Sequence, residues 1–191
     1  MGTVDDLIRK VRTDPPPRKE PAQEFGSADV EDDDDIVRPI NWNLLDAKAA
    51  QSEWLDLDAW VTWMRITYGL PPTVIPPYWH RHDELVWELS ALHVYWLNAY
   101  DPDGPPTGPV MWHREFAEAR QRLREWVSTA GTKLERDRPT RQTTWPGEAP
   151  VALASEVVIE DRAADFRAYV IADVSARLRI QEQFEATQDV S

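Results

Sequence analysis

Cysteine is absent from this chain, which excludes a disulfide framework, a thiol nucleophile and any Cys-ligated zinc or iron–sulfur site. Glycine is scarce, at seven residues, and phosphate-cradling backbone loops are hard to build from so few. The signatures G-x-S-x-G, P-loop, G-x-G-x-x-G and H-E-x-x-H do not occur. No apolar run approaches the about 18 residues of a membrane-spanning helix. The first residues, Met1-Gly2-Thr3-Val4-Asp5-Asp6, lack the basic and apolar regions of a secretion signal. Basic charge is in the minority: 21 Lys and Arg against 34 Asp and Glu leave a formal charge of −13. Such a balance disfavours a general affinity for nucleic-acid phosphates. Strand periodicity is missing too, and Val157-Val158-Ile159 is too short to count. The expectation is a cytoplasmic protein without cofactor or membrane association, and no residue is singled out as catalytic.

What the chain does have is tryptophan, ten residues in all, every one between Trp42 and Trp145. Each indole buries roughly 150–250 Å² and needs a partner for its ring N–H. Their concentration marks the folded body. Before it, residues 1–38 read as a disordered acidic arm in which Glu31 through Asp35 form a self-repelling run. Within the arm, Val4, Leu7, Ile8 and Val11 fall at i, i+3, i+4 and i+7, predicting a short amphipathic helix over 4–12. Pro15-Pro16-Pro17 stops it.

The apolar spacing in the body predicts helices throughout. Asn43 is a candidate cap for a short helix through Trp54, and Asp56 or Asp58 for a second one to about Tyr68, stopped by Gly69 and Pro71-Pro72. Residues 72–79 read as extended. His82 or Asp83 caps the strongest helix, to about Tyr100, with Leu85, Leu89, Leu92, Trp96 and Tyr100 in one stripe. Another runs from about Val110 to Ala130 on Trp112, Phe116, Ala119, Leu123 and Trp126, and Gly131 stops it. The segment 136–150 is polar and proline-containing, within a linker set at 133–155. In the final segment, 156–191, a long helix is predicted from about Glu160 to Glu185. Its apolar side carries Ala163, Phe166, Val170, Val174 and Leu178, and its arginines lie largely off that side. It packs either on the body (39–132) or against another copy as a homo-oligomer. The fold class is all-α, a small antiparallel helical bundle.

Three constellations carry candidate chemistry. All four histidines lie between 80 and 113, and His80 and His82 sit with Asp83 and Glu84 in one short stretch, an alternative metal site. The capping of free amides at a helix start is the competing role for His82. Residues 114–141 hold eight basic against five acidic residues, so Arg120, Arg122 and Arg124 form an alternative nucleic-acid contact. The competing reading is a solvated face with i, i+4 pairs such as Glu118 with Arg122. Trp79 follows Pro76-Pro77 outside any helical stripe, and is either an exposed binding ridge or a plug between helices.

Residues 40–130 resemble an uncharacterised Trp-rich family found mainly in actinobacteria, with members on plasmids, integrative elements and phage genomes. The resemblance is carried by Trp42…Leu45-Asp46, Trp54…Leu57…Trp60-Val61…Trp63 and Tyr68-Gly69-Leu70. It continues through Ile75-Pro76-Pro77…Trp79…His82, Glu88-Leu89…Ala91-Leu92…Trp96…Ala99-Tyr100 and Trp112-His113. In that family a cysteine often precedes the Trp79-like residue; this chain has Tyr78 there, so any role of that cysteine is absent. The resemblance implies a mobile-element or accessory context and carries no activity to any residue. The expected function is that of a non-enzymatic interaction or accessory protein with an unidentified protein partner. The candidate partner-binding residues are Val4, Leu7, Ile8, Val11 and Trp79, alongside the C-terminal helix.

Overall fold

The computed structural model describes residues 38–140, 142–149 and 155–188. Asp46 starts the first helix by accepting a hydrogen bond from the Ala49 amide at 2.7 Å, and α1 then runs unbroken over Ala47–Thr67. Two helices were expected here. Asn43 lies in the turn before α1, and Asp56 and Asp58 sit inside it as ordinary helical residues. The buried positions Ala50, Trp54, Leu57, Val61 and Met64 form one stripe across that point. Asp58 bonds Arg162 instead of local amides, so it does not start a new helix. Gly69, at φ 59°, ends α1: its amide bonds the Ile66 carbonyl and the Leu70 amide reaches back to the Arg65 carbonyl.

A single turn of 3-10 helix, Trp79–Arg81, leads into α2, Asp83–Ala99. After the loop through Thr107, α3 covers Gly108–Thr129, with Pro109 in its first turn. Gly108 is required by close approach, because a Cβ there would lie 2.5 Å from the Ala99 carbonyl oxygen. The chain then forms β1, Arg136–Asp137, and β2, Val157–Val158, paired antiparallel with Arg136 opposite Val158. β1 falls within the segment read as linker, 133–155, and β2 in Val157-Val158-Ile159, which was expected to be too short to count as a strand. The ladder is the only sheet among the described residues. Asp161 accepts from the Ala163 and Ala164 amides and opens α4, Arg162–Gln188. The architecture is all-α: four α-helices among the described residues, with α3 packed on α2 and α4 packed on α1.

The tryptophans form the core in two linked clusters. In one, Trp54 sits 4.4 Å from Trp42, 6.1 Å from Trp79 and 5.6 Å from Tyr169 of α4. Its indole N–H bonds Asp173 at 3.0 Å, and that of Trp42 bonds Ser90 at 2.7 Å. In the other, Trp60 stacks on His93 at 4.9 Å, and Trp112 stacks on Phe116 at 4.7 Å. Trp126 belongs to the predicted α3 stripe but is exposed, as is Trp145. No helix among the described residues is long and apolar enough to cross a membrane.

Candidate functional site

Two histidines separated by one arginine join the 3-10 turn to distant parts of the chain. His80 is 0% exposed, and its Nε2 lies 2.9 Å from Asp165 Oδ2 on the first turns of α4. Arg81 grips the same carboxylate from the side, with Nε 2.9 Å from Oδ2 and Nη2 on Oδ1. Phe166 and Tyr169 pack edge-on against the His80 ring, at 5.2 and 5.4 Å. Burial lowers the pKa of His80 from its ordinary value, in spite of the Asp165 hydrogen bond, which pulls the other way. The Arg81 hydrogen bond holds Asp165 below the usual carboxyl range, helped by His80 and opposed by burial. The pair is therefore a neutral imidazole against a carboxylate that is itself held by a guanidinium.

His82, 1% exposed, turns to the other side. Its Nε2 is 2.8 Å from Asp137 Oδ1 on β1, and its Nδ1 is 3.0 Å from the Thr140 hydroxyl. Thr140 gives its own hydrogen to Glu84 Oε1, so toward His82 it can only accept. His82 thus does not cap α2: it occupies the cap position but sends its ring to β1. Beside it, the Tyr78 hydroxyl lies 3.0 Å from both the Leu134 and Ile159 carbonyls, pinning the two sides of the ladder.

The sequence-predicted sites fare differently. His80 and His82 do not converge on one point, since the Nε2 of each meets a different carboxylate. Among the described residues no group of three or more His, Asp or Glu could hold a metal ion. The metal reading is corrected accordingly: buried hydrogen bonds to Asp165 and Asp137, residues far along the chain, fix the two rings apart. Trp79 is 1% exposed, so it is the plug between helices and not a binding ridge; Trp54 and Phe166 cover its ring. Arg122 bonds Glu88 of α2 at 2.7 and 3.0 Å, in place of the expected Glu118, while the Arg120 guanidinium lies over the Phe116 ring. At about 100° per residue, Arg122 also points away from Arg120 and Arg124. The three do not make one cationic face. Val4, Leu7, Ile8 and Val11 lie outside the described residues.

Sequence reasoning missed Asp137, Thr140 and Asp165, and it left the arginines of α4 as surface charge. Arg162 in fact bonds Asp58 and the Pro77 carbonyl, and Arg177 bonds the Trp42 and Leu45 carbonyls at 2.9 and 2.7 Å. The partners are 85 and 132 or more residues apart in the chain, and no local spacing signals such pairs.

Beyond Arg177 the helix changes character. Phe166, Val170, Asp173 and Arg177 recur at three or four residues on the body-facing side of α4, and Ile180 and Phe184 continue that rhythm. Yet Ile180 is 53% and Phe184 67% exposed, as are Leu178 at 48% and Ile171 at 66%. The expected apolar side is corrected at its two ends, where Ala163 and Leu178 are exposed. No known protein family matches the sequence, and neither a curated protein nor a solved structure matches it.

Proposed function

We propose that the chain is a non-enzymatic cytoplasmic interaction protein whose Trp-packed body presents the end of α4 to another protein. The observation that carries this is the pair Ile180 and Phe184, exposed in continuation of the face that packs on the body. Large apolar side chains clustered on a protruding helix are typical of recognition surfaces. The sealed histidines support the non-enzymatic part, because each ring already has its protein partner and almost no exposed surface. An accessory role in a mobile element, which the resemblance read from the sequence implies, is part of the same proposal.

A second copy laid antiparallel sets Ile180 and Phe184 of one chain against Phe184 and Ile180 of the other, a self-complementary apolar contact. Few side chains take part, far short of the about 20–30 residues a side of a standard interface, so association is expected to be weak. Sedimentation velocity over rising concentration tests it. The proposal expects a monomer–dimer shift that disappears in the double variant Ile180→Glu with Phe184→Glu. A wild-type chain that stays monomeric and captures no protein through this strip from its host's lysate would overturn it.

A further inference from the structure

Beside the last turns of α1 lies a cleft of about 390 Å³. The left-handed turn at Gly69 reverses the chain after α1, and Pro71-Pro72 keep it from becoming helical. The returning segment, in which the Val74 and Ile75 amides bond the Pro71 carbonyl in a turn, stands off the last turns of α1 and leaves a gap. Val61, Thr62 and Arg65 of α1 form one side; Leu70, Ile75 and Pro77 form the other. Trp79 and Leu134 also line it, and Arg162 stands at its rim. Its volume falls in the range of about 300–1,000 Å³ in which small-molecule sites occur, and its walls are apolar with few polar groups, as such sites are.

Those few polar groups share one chemistry. Arg162 is fixed in place, with Nε 3.2 Å from the Pro77 carbonyl and Nη2 on Asp58. Arg65 is exposed and forms no ion pair among the described residues. Thr62 is half-buried and brings a hydroxyl. The Trp79 indole N–H is buried with no acceptor, whereas buried donors are normally hydrogen-bonded. In a chain of formal charge −13, this cleft offers a guanidinium that no carboxylate pairs, and no carboxylate lines it, among the described residues.

We infer that the cleft between Arg65 and Trp79 binds a small organic acid, a single carboxylate on a flat apolar body. The body displaces water from Val61, Leu70 and Ile75, and the carboxylate takes the planar fork of Arg65. This site is independent of the α4 strip.

The probe is 1-naphthoate, titrated into the full chain and followed by amide and indole N–H resonances, with the neutral 1-naphthalenemethanol in parallel. The result expected is a set of shifts at Thr62, Leu70 and the Trp79 indole N–H. Affinity falls about tenfold or more for the alcohol and for Arg65→Gln, the scale of one charge-assisted hydrogen bond. Thr62→Phe fills the cleft and abolishes binding. Arg65→Gln alters an exposed side chain outside the core, so it folds even where Thr62→Phe does not. Absence of shifts at millimolar naphthoate, shifts confined to the end of α4, or equal affinity for acid and alcohol or for Arg65→Gln would each overturn the inference.

Discussion

The two halves of α4 share one apolar rhythm and meet opposite fates. From Arg162 to Arg177 the helix is fastened by Phe166 and Val170 in the core, by Asp165 to His80 and Arg81, and by Arg177 to two carbonyls. From Leu178 onward the same spacing continues with nothing against it, and Phe184 stands 67% exposed. Periodicity therefore decides which face of a helix is apolar. Whether that face is buried depends on where the opposing element stops, and α1 begins only at Ala47. The lesson holds for α3 as well, where Leu123 is buried and Trp126, the next member of its stripe, is not.

The sharpest way to break the comparison is to truncate one phenylalanine from each half. Phe166→Ala opens a cavity beside Trp54, Trp79 and His80 and is expected to cost about 3–5 kcal/mol. Phe184→Ala should stay within about 0.5 kcal/mol of wild type. Urea unfolding followed by tryptophan fluorescence measures both, and equal losses would erase the distinction between the halves. Next in size, Asp137→Ala leaves the buried His82 Nε2 without its partner and should cost about 1–3 kcal/mol. Asp137→Asn keeps an acceptor for the ring and should cost less in the same unfolding measurement.

A pH titration sharpens the fastened half further. Burial disfavours the charged form of His80 in the folded chain. As pH falls through the ordinary value of 6.5, the unfolded chain takes up a proton that the folded chain refuses, so stability declines. Asp165, held low by Arg81, acts at lower pH: its contribution is present above the ordinary carboxyl value and disappears as pH drops through the folded one. Unfolding free energies between about pH 7 and pH 5 should fall in wild type and fall less in His80→Gln. Parallel slopes for the two proteins would remove His80 from the account. The smallest effect expected is at Arg122, whose pair with Glu88 is open to solvent; Arg122→Ala should cost about 1 kcal/mol or less, and salt should shrink even that.

How much of this was legible in the sequence follows from the range of each interaction. The stripes of α2 and α3, the stop at Gly69 and the long last helix are written in spacings of a few residues, and they could be read directly. The split of α1 was a misreading of Asp56 and Asp58 as caps, because an aspartate that bonds an arginine far along the chain looks, locally, like one that caps. The histidine network was half legible: His80 and His82 stood out, but Asp165 and Asp137 are 85 and 55 residues away and sit in unremarkable polar surroundings. Such pairs arise only once β1 and α4 have docked on the 3-10 turn. The cleft was not legible at all, since it is the space left between Gly69 and the returning chain. Of its polar groups, only Trp79 had drawn attention, and for the opposite reason.

The most direct test of the divided helix is amide hydrogen exchange along α4 as a function of protein concentration. The account predicts that residues 178–187 gain protection as concentration rises, while residues 165–177, already fastened to the body, stay protected throughout. Protection of 178–187 that is independent of concentration, or equal to that of the fastened half in dilute protein, would contradict it.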